Sequence, residues 1–289
     1  MKSIDPPARI AVIGAGTMGN GIAQVCASAG FEVIMFDVRI DLVEKGLASI
    51  RQSLDKLVMK GKLTPADASA IASRVLGEVT LEHVTAELIV EAVVENISVK
   101  REIFSRLEAV NSAESIFVSN TSSLSINEIG NELQHPERFA GLHFFNPAPL
   151  MKLVEIVAGS RTAAKTIEIL RKFCARLEKQ AVLANDSPGF IVNRVARPFY
   201  TEALYLLEQS ACDESGIDRL LRNSGFRMGP FELMDLIGID VNLAVTKSIY
   251  YASGKPERFT PSRIQQQKAD NGELGRKTGK GFYEYHQKN

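Results

Sequence analysis

In the stretch LHFFNPAPLMKLVEI, residues 142–156, a histidine sits in an apolar run that two prolines then interrupt. An imidazole titrates near neutrality, so it is the side chain best suited to take up and release a proton at that pH. Half-buried histidines also pack in cores with both nitrogens satisfied, and position has to separate the two readings. Of the four histidines, His83 lies in the charged segment TLEHVTAE, His135 in the turn-like NELQHPERF and His286 near the C-terminus. Only His143 lies where a strand of a sheet would end, and NPAP directly after it would stop that strand and open the chain outward. Glu155 is a charge inside LVEIVA, a run that otherwise reads as a buried strand. A buried carboxylate needs a partner, which an imidazole would supply; an edge position facing solvent is the other reading.

A second set of residues suits a phosphate. IGAGTMGNG, residues 13–21, places Gly14, Gly16 and Gly19 at the spacing GxGxxG, with Thr17 and Met18 between the last two. A strand-like run precedes it, a helix-like run follows, and Asp37 ends the next strand-like run, which is the context of a dinucleotide site. Gly14 permits the tight turn, Gly16 lets backbone N–H groups approach a pyrophosphate, and Gly19 lets helix and strand pack closely. Asp37 can accept hydrogen bonds from both ribose hydroxyls and would repel a 2'-phosphate, which favours NAD. Arg39, two residues on, would offset part of that repulsion, so use of NADP stays open.

The elements that must position these residues alternate. RIAVIG (9–14), EVIMFD (32–37), LIVEAV (88–93), IFVSN (116–120) and FAGLHFF (139–145) are short apolar runs separated by amphipathic segments, the pattern of a mainly parallel sheet with helices on both faces. LVEIVAG (153–159) and QAVLAND (180–186) add strands around a further helix. A long charged insertion, about 41–74, turns at KGKLTP and reads as a helical hairpin. After DSPGF the chain reads helical almost to its end. The expected fold is therefore α/β: a Rossmann-like doubly wound, mainly parallel sheet over 1–186 carrying the hairpin, followed by an all-α C-terminal domain over 187–289.

Lys plus Arg and Asp plus Glu are each 34 in 289 residues, without a long basic run, which points away from nucleic acid and from an anionic membrane surface. The partner expected is a small molecule. Cys26, Cys174 and Cys212 are odd in number and form no CxxC, so neither a disulfide framework nor a zinc site is expected, and no metal is implied. The first apolar run begins too early for a leader peptide, and no run of about 18 apolar residues occurs. A cytoplasmic protein that does not span a membrane is the expectation.

With the cofactor loop, SNTSSLSI (119–126), GLHFFNPAPLMKLVEI (141–156), SPGFIVNR (187–194), EAVVEN (91–96), MGPFEL (228–233) and GRKTGKGFYEY (275–285) together, the chain resembles the short-chain L-3-hydroxyacyl-CoA dehydrogenases over essentially its whole length. The resemblance implies NAD-dependent oxidation of the 3-hydroxyl of an acyl-CoA, of short chain such as 3-hydroxybutyryl-CoA, and the reverse reduction. It implies a homodimer formed through the helical domain. By position it makes His143 the catalytic base, Glu155 the carboxylate that orients it, and Ser122 and Asn193 hydrogen-bonding partners of the substrate oxygens. Glu95, Lys100 and Asn120 match positions that line the cofactor, and Lys56 and Lys60 match basic positions that hold the CoA nucleotide. Each has a plainer reading: hydroxyls in NTSSL can cap the helix that follows, Asn193 can bond the backbone inside a buried helix, and lysines on an exposed helix face are often only solvated. Two other functions remain beside this one. One is a dehydrogenase of a non-CoA hydroxy acid on the same fold. The other is a catalytically silent NAD-binding or structural protein, against which the intact set Ser122, His143, Glu155 and Asn193 speaks.

Overall fold

The computed structural model describes residues 8–285. They form two compact units divided between Ser187 and Pro188. The first is built on an eight-stranded sheet: β1 (Arg9–Ile13), β2 (Glu32–Phe36), β3 (Val75–Glu78), β4 (Leu88–Glu91), β5 (Ile116–Ser119), β6 (Phe139–Phe144), β7 (Leu153–Ala158) and β8 (Gln180–Asn185). Its strand order is β3-β2-β1-β4-β5-β6-β7-β8. Every neighbouring pair is parallel except β6 and β7, which are antiparallel. The order reverses between β1 and β4, and doubly wound sheets bind ligands outside the carboxyl ends of the strands at such a switch point.

Side chains alternate across the sheet. Ile10, Val12, Val33, Met35, Leu88, Val90, Val118, Leu142, Phe144, Val154 and Ile156 face one way, into a core closed by α1 (Thr17–Ser28), α2 (Ile40–Met59), α3 (Pro65–Ser73) and α6 (Ala164–Arg176). On the other face α4 (Ile97–Val110) packs Phe104 edge-on against Phe117 and Phe139, with ring centroids 6.1 and 5.0 Å apart. Glu91, Ser119, His143 and Glu155, all buried, share that second face by the same alternation. The short α5 (Ile126–Ile129) opens after the β5 loop and is capped by the Ser125 side chain, which accepts from the Glu128 N–H.

The hairpin insertion consists of α2 and α3, the latter begun by Pro65 behind the Thr64 cap. It does not lead straight to the strand at Leu88, as the apolar pattern indicates. It first feeds β3, a strand that the pattern does not signal. β3 has four residues at the sheet edge and buries only Val75, so its sequence lacks the continuous apolar run of a central strand.

The second unit is helical: α7 (Val192–Glu208), α8 (Glu214–Asn223), α9 (Pro230–Ile237), α10 (Ile239–Ala252) and α11 (Arg263–Asp270). Tyr200, Leu204, Ile217, Phe231, Met234 and Ile239 form its core. Buried Asp235 accepts from the N–H groups of Phe282 and Tyr283, at 2.9 Å each, and fastens the C-terminal segment to α9. Among the described residues no helix is long and apolar enough to cross a membrane.

Candidate active site

The glycine loop joins β1 to α1. Gly14 has φ +105°, in the region that favours glycine, and a Cβ there would lie 2.7 Å from the carbonyl oxygen of Ala92 after β4. At Gly19 a Cβ would lie 1.7 Å from the Gly14 oxygen, so α1 can meet β1 this closely only without a side chain. Gly16, the cap residue of α1, differs: a Cβ there would meet nothing within 4 Å, and no side chain caps the helix. Open space in front of uncapped N–H groups fits a pyrophosphate. Thr17 is exposed and Met18 half-buried beside it. Asp37, at the end of β2, accepts from the Ala15 N–H through Oδ2 and from the Val38 N–H through Oδ1, both at 2.8 Å. Its carboxylate is thus fixed at the lip of the loop. Arg39 is held by Asp41, with Nε and Nη2 donating at 2.8 and 2.6 Å. Burial plays little part there; the hydrogen bond and the charge of Asp41 push the guanidinium value up.

His143 is 5 % exposed and Glu155 fully buried, and the two are register partners across β6 and β7. Nδ1 lies 2.7 Å from Oε2. Glu155 therefore faces the imidazole and not solvent, and two titratable side chains meet at the carboxyl end of β6. The Phe145 ring lies 4.5 Å from the imidazole. The chain then turns through a cis Asn146–Pro147 peptide, and Ala148 and Pro149 sit against α1, where a Cβ at Gly21 would be 3.3 Å from the Ala148 Cβ. Lys179 Nζ donates to the carbonyls of Ala148 and Met151 at 2.7 Å each and pins this loop from below. Burial lowers the lysine value there.

Asn120 is tied in as well, its Oδ1 accepting from the Phe144 N–H at 2.8 Å and so linking the ends of β5 and β6. Ser122 donates its backbone N–H to Glu95 at 3.2 Å. The hydroxyls of Thr121 and Ser123 reach the same Glu95 oxygen at 2.5 and 2.9 Å. Capping of α5 falls to Ser125, the residue just after NTSSL. Lys100 is 1 % exposed and binds Glu91 at 2.6 Å and Glu95 at 3.3 Å. Glu91 went unnoticed in the sequence, although LIVE carries the same signal as LVEIVA: one charge inside a buried strand. Lys56 and Lys60 are exposed at the end of α2, one helical turn apart.

Asn193 belongs to the second unit. It lies half-buried on the first turn of α7 rather than deep inside a buried helix, and its carbonyl accepts from Arg197 Nε at 3.1 Å. Arg197 is itself buried, donating also to the Asn242 carbonyl and the Thr246 hydroxyl, and burial lowers it to about 10. Among the described residues no group of three or more His, Cys, Asp or Glu side chains could hold a metal ion.

A paired imidazole can move a proton but not a pair of electrons, and the glycine loop after β1 of the same sheet provides the seat for a redox partner. Fold and site together define a dinucleotide-dependent oxidoreductase. Residues 9–187 match the model of the 3-hydroxyacyl-CoA dehydrogenase NAD binding domain, and residues 189–285 that of the 3-hydroxyacyl-CoA dehydrogenase C-terminal domain. The chain belongs to the 3-hydroxyacyl-CoA dehydrogenase family, and its cofactor is NAD. It is 44 % identical to the 3-hydroxyadipyl-CoA dehydrogenase of Escherichia coli (strain K12), over 96 % of this chain and 58 % of that protein. It is 39 % identical to the 3-hydroxybutyryl-CoA dehydrogenase of Bradyrhizobium diazoefficiens, over 96 % and 95 %. The crystal structure of 3-hydroxybutyryl-CoA dehydrogenase from Escherichia coli K12 superposes with a TM-score of 0.95 at 43 % identity, covering 99 % of this chain and 61 % of that one. This chain thus spans about three fifths of the two Escherichia coli relatives.

Proposed function

We propose that the chain interconverts (S)-3-hydroxyacyl-CoA and 3-ketoacyl-CoA, with short-chain 3-hydroxybutyryl-CoA and acetoacetyl-CoA as the substrate pair. The observation that carries this reading is the buried His143–Glu155 contact at the carboxyl end of β6. With its proton on Nδ1, donated to Glu155, the neutral ring keeps a lone pair on Nε2, the atom that takes the proton of the 3-hydroxyl during oxidation. Glu155 then faces an imidazolium across 2.7 Å and stabilises the charge as it forms. NAD, when bound, supplies the hydride acceptor, and its reduced form the donor. For reduction the cationic imidazole returns the proton to the carbonyl oxygen.

Ser122 and Asn193 are our choice of donors to the substrate oxygens, and Glu95, Lys100 and Asn120 of the cofactor wall behind β4 and β5. Lys56 and Lys60 offer two exposed cations for the phosphates of the CoA nucleotide. Asp37 at the loop lip supports NAD over NADP, and the ion pair of Arg39 with Asp41 takes up the cation that would favour a 2'-phosphate. A homodimer formed through 187–289 accounts for the exposed Tyr205, Leu220, Phe226 and Tyr251 on the helical unit. The three cysteines are free, two of them buried, which suits a reducing cytoplasm.

The deciding experiment is oxidation of NADH by the purified protein with acetoacetyl-CoA and with 3-ketoacyl-CoAs of increasing length. Turnover highest with acetoacetyl-CoA is the expected result. Turnover of free acetoacetate or another non-CoA keto acid at a higher kcat/KM would assign the chain to non-CoA substrates, and no turnover of any would leave it a silent NAD-binding protein. Light scattering should return twice the chain mass of 31.6 kDa; the single-chain mass at micromolar concentration would rule the dimer out.

A further inference from the structure

We infer that Glu91 and Lys100 are a buried positioning pair that fixes Glu95 and, through it, the turn at residues 121–123 that presents Ser122. The inference rests on the function proposed above and names residues that the proton-transfer pair itself does not need.

Glu91 ends β4 and Lys100 lies on α4; they are 0 % and 1 % exposed and 2.6 Å apart. Such a pair costs desolvation on both sides, and breaking it by removing one partner leaves an uncompensated buried charge. Its surroundings indicate what it holds. Glu91 Oε1 also accepts from the Val93 N–H at 2.7 Å, and Oε2 from the Ser119 hydroxyl at 2.6 Å. The Ser119 oxygen in turn accepts from the Thr121 N–H at 3.2 Å. Lys100 reaches forward to Glu95 Oε2 at 3.3 Å. The other Glu95 oxygen collects the Thr121 hydroxyl, the Ser122 N–H and the Ser123 hydroxyl.

Two carboxylates therefore converge on one ammonium, and the Thr121 and Ser123 hydroxyls and the Ser122 N–H all run to Glu95. Without the ammonium, Glu91 and Glu95 would repel each other, and Glu95 would swing out of the turn. Burial works to raise the Glu95 carboxyl, but Lys100 and the hydroxyl bonds outweigh it and hold the group below the usual carboxylate range, so it keeps its charge at neutral pH. Thr121 adds the final constraint, accepting from the Ser123 and Leu124 N–H groups at 3.2 and 2.9 Å. The turn is thus over-determined by charge and hydrogen bonds just past the carboxyl end of β5, and in a reacting site a displacement of about 1 Å costs up to ~100-fold in rate.

Glu95, with 38 % of its side chain exposed, can be replaced without opening the core. Glu95→Gln keeps an acceptor oxygen for Thr121 and Ser123, whereas Glu95→Ala removes it. Hydrogen exchange followed by mass spectrometry should show amides of residues 119–125 exchanging at least ~10-fold faster in Glu95→Ala, with most of the protection restored in Glu95→Gln. At saturating NADH, kcat with acetoacetyl-CoA should fall by ~10-fold or more in Glu95→Ala and recover largely in Glu95→Gln. Unchanged exchange, or unchanged kcat at saturating NADH with only the KM for NADH raised, would leave Glu95 a cofactor contact without a positioning role and overturn the inference. If the wild type turns over no acetoacetyl-CoA, the proposed function has failed, and the exchange comparison alone decides this one.

Discussion

His143 stands directly opposite Glu155 across the one antiparallel pair of the sheet, with Nδ1 2.7 Å from Oε2. Side chains alternate along strands, so a slip of one residue between β6 and β7 would carry Glu155 to the far face and leave the imidazole without its carboxylate. The contact is therefore set by strand register. His143→Gln should lower kcat by ~100-fold or more, the range for loss of a general base, while the Kd for NADH stays within a few-fold. Glu155→Gln keeps the shape and should lower kcat by a smaller factor. Near wild-type kcat in His143→Gln would return this histidine to a packing role.

Cofactor choice depends on two acids. Asp37→Ala should weaken NADH binding and narrow the gap to NADPH, since it removes a ribose acceptor and the charge that opposes a 2'-phosphate. Asp41→Ala added to it frees Arg39 from its ion pair and should improve kcat/KM for NADPH further. Initial rates with both cofactors test this, and a wild type that already prefers NADPH contradicts the assignment.

Gly19→Ala probes the close approach of α1 to β1. Its Cβ would fall 1.7 Å from a backbone oxygen, so the loop must shift. Overpacking of this kind costs roughly 1–3 kcal/mol. The measurable outcome is a Tm lower by several degrees and NADH affinity reduced at least ~10-fold. Gly16→Ala meets open space and should fold normally, and its added methyl should read out only in cofactor affinity.

Acid stability should report on Glu95. A carboxyl whose folded value is lowered contributes stability that is present above its unfolded value and lost as pH falls through the folded one. The Tm difference between wild type and Glu95→Gln should therefore be steady near pH 7 and vanish below the ordinary glutamate range. Because the group is partly open to water, the difference will be small. A gap that widened on acidification would contradict the sign.

The cofactor seat was legible in the sequence because it is local: the strand, three glycines and helix are consecutive, and Asp37 follows at the end of the next strand. Seven of the eight strands announced themselves as apolar runs, and so did the oddity of a charge inside LVEIVA. The edge strand β3 was silent, having only one buried residue to signal it. That Glu155 meets His143 rather than solvent depended on one antiparallel register among parallel ones, which apolar periodicity does not encode. The same holds for Lys100. In the sequence it is one lysine on a helix, and only packing α4 over β4 buries it between Glu91 and Glu95. Motifs whose members are neighbours in the chain can be read directly; pairs made by packing distant strands and helices exist only once tertiary structure has fixed which faces meet.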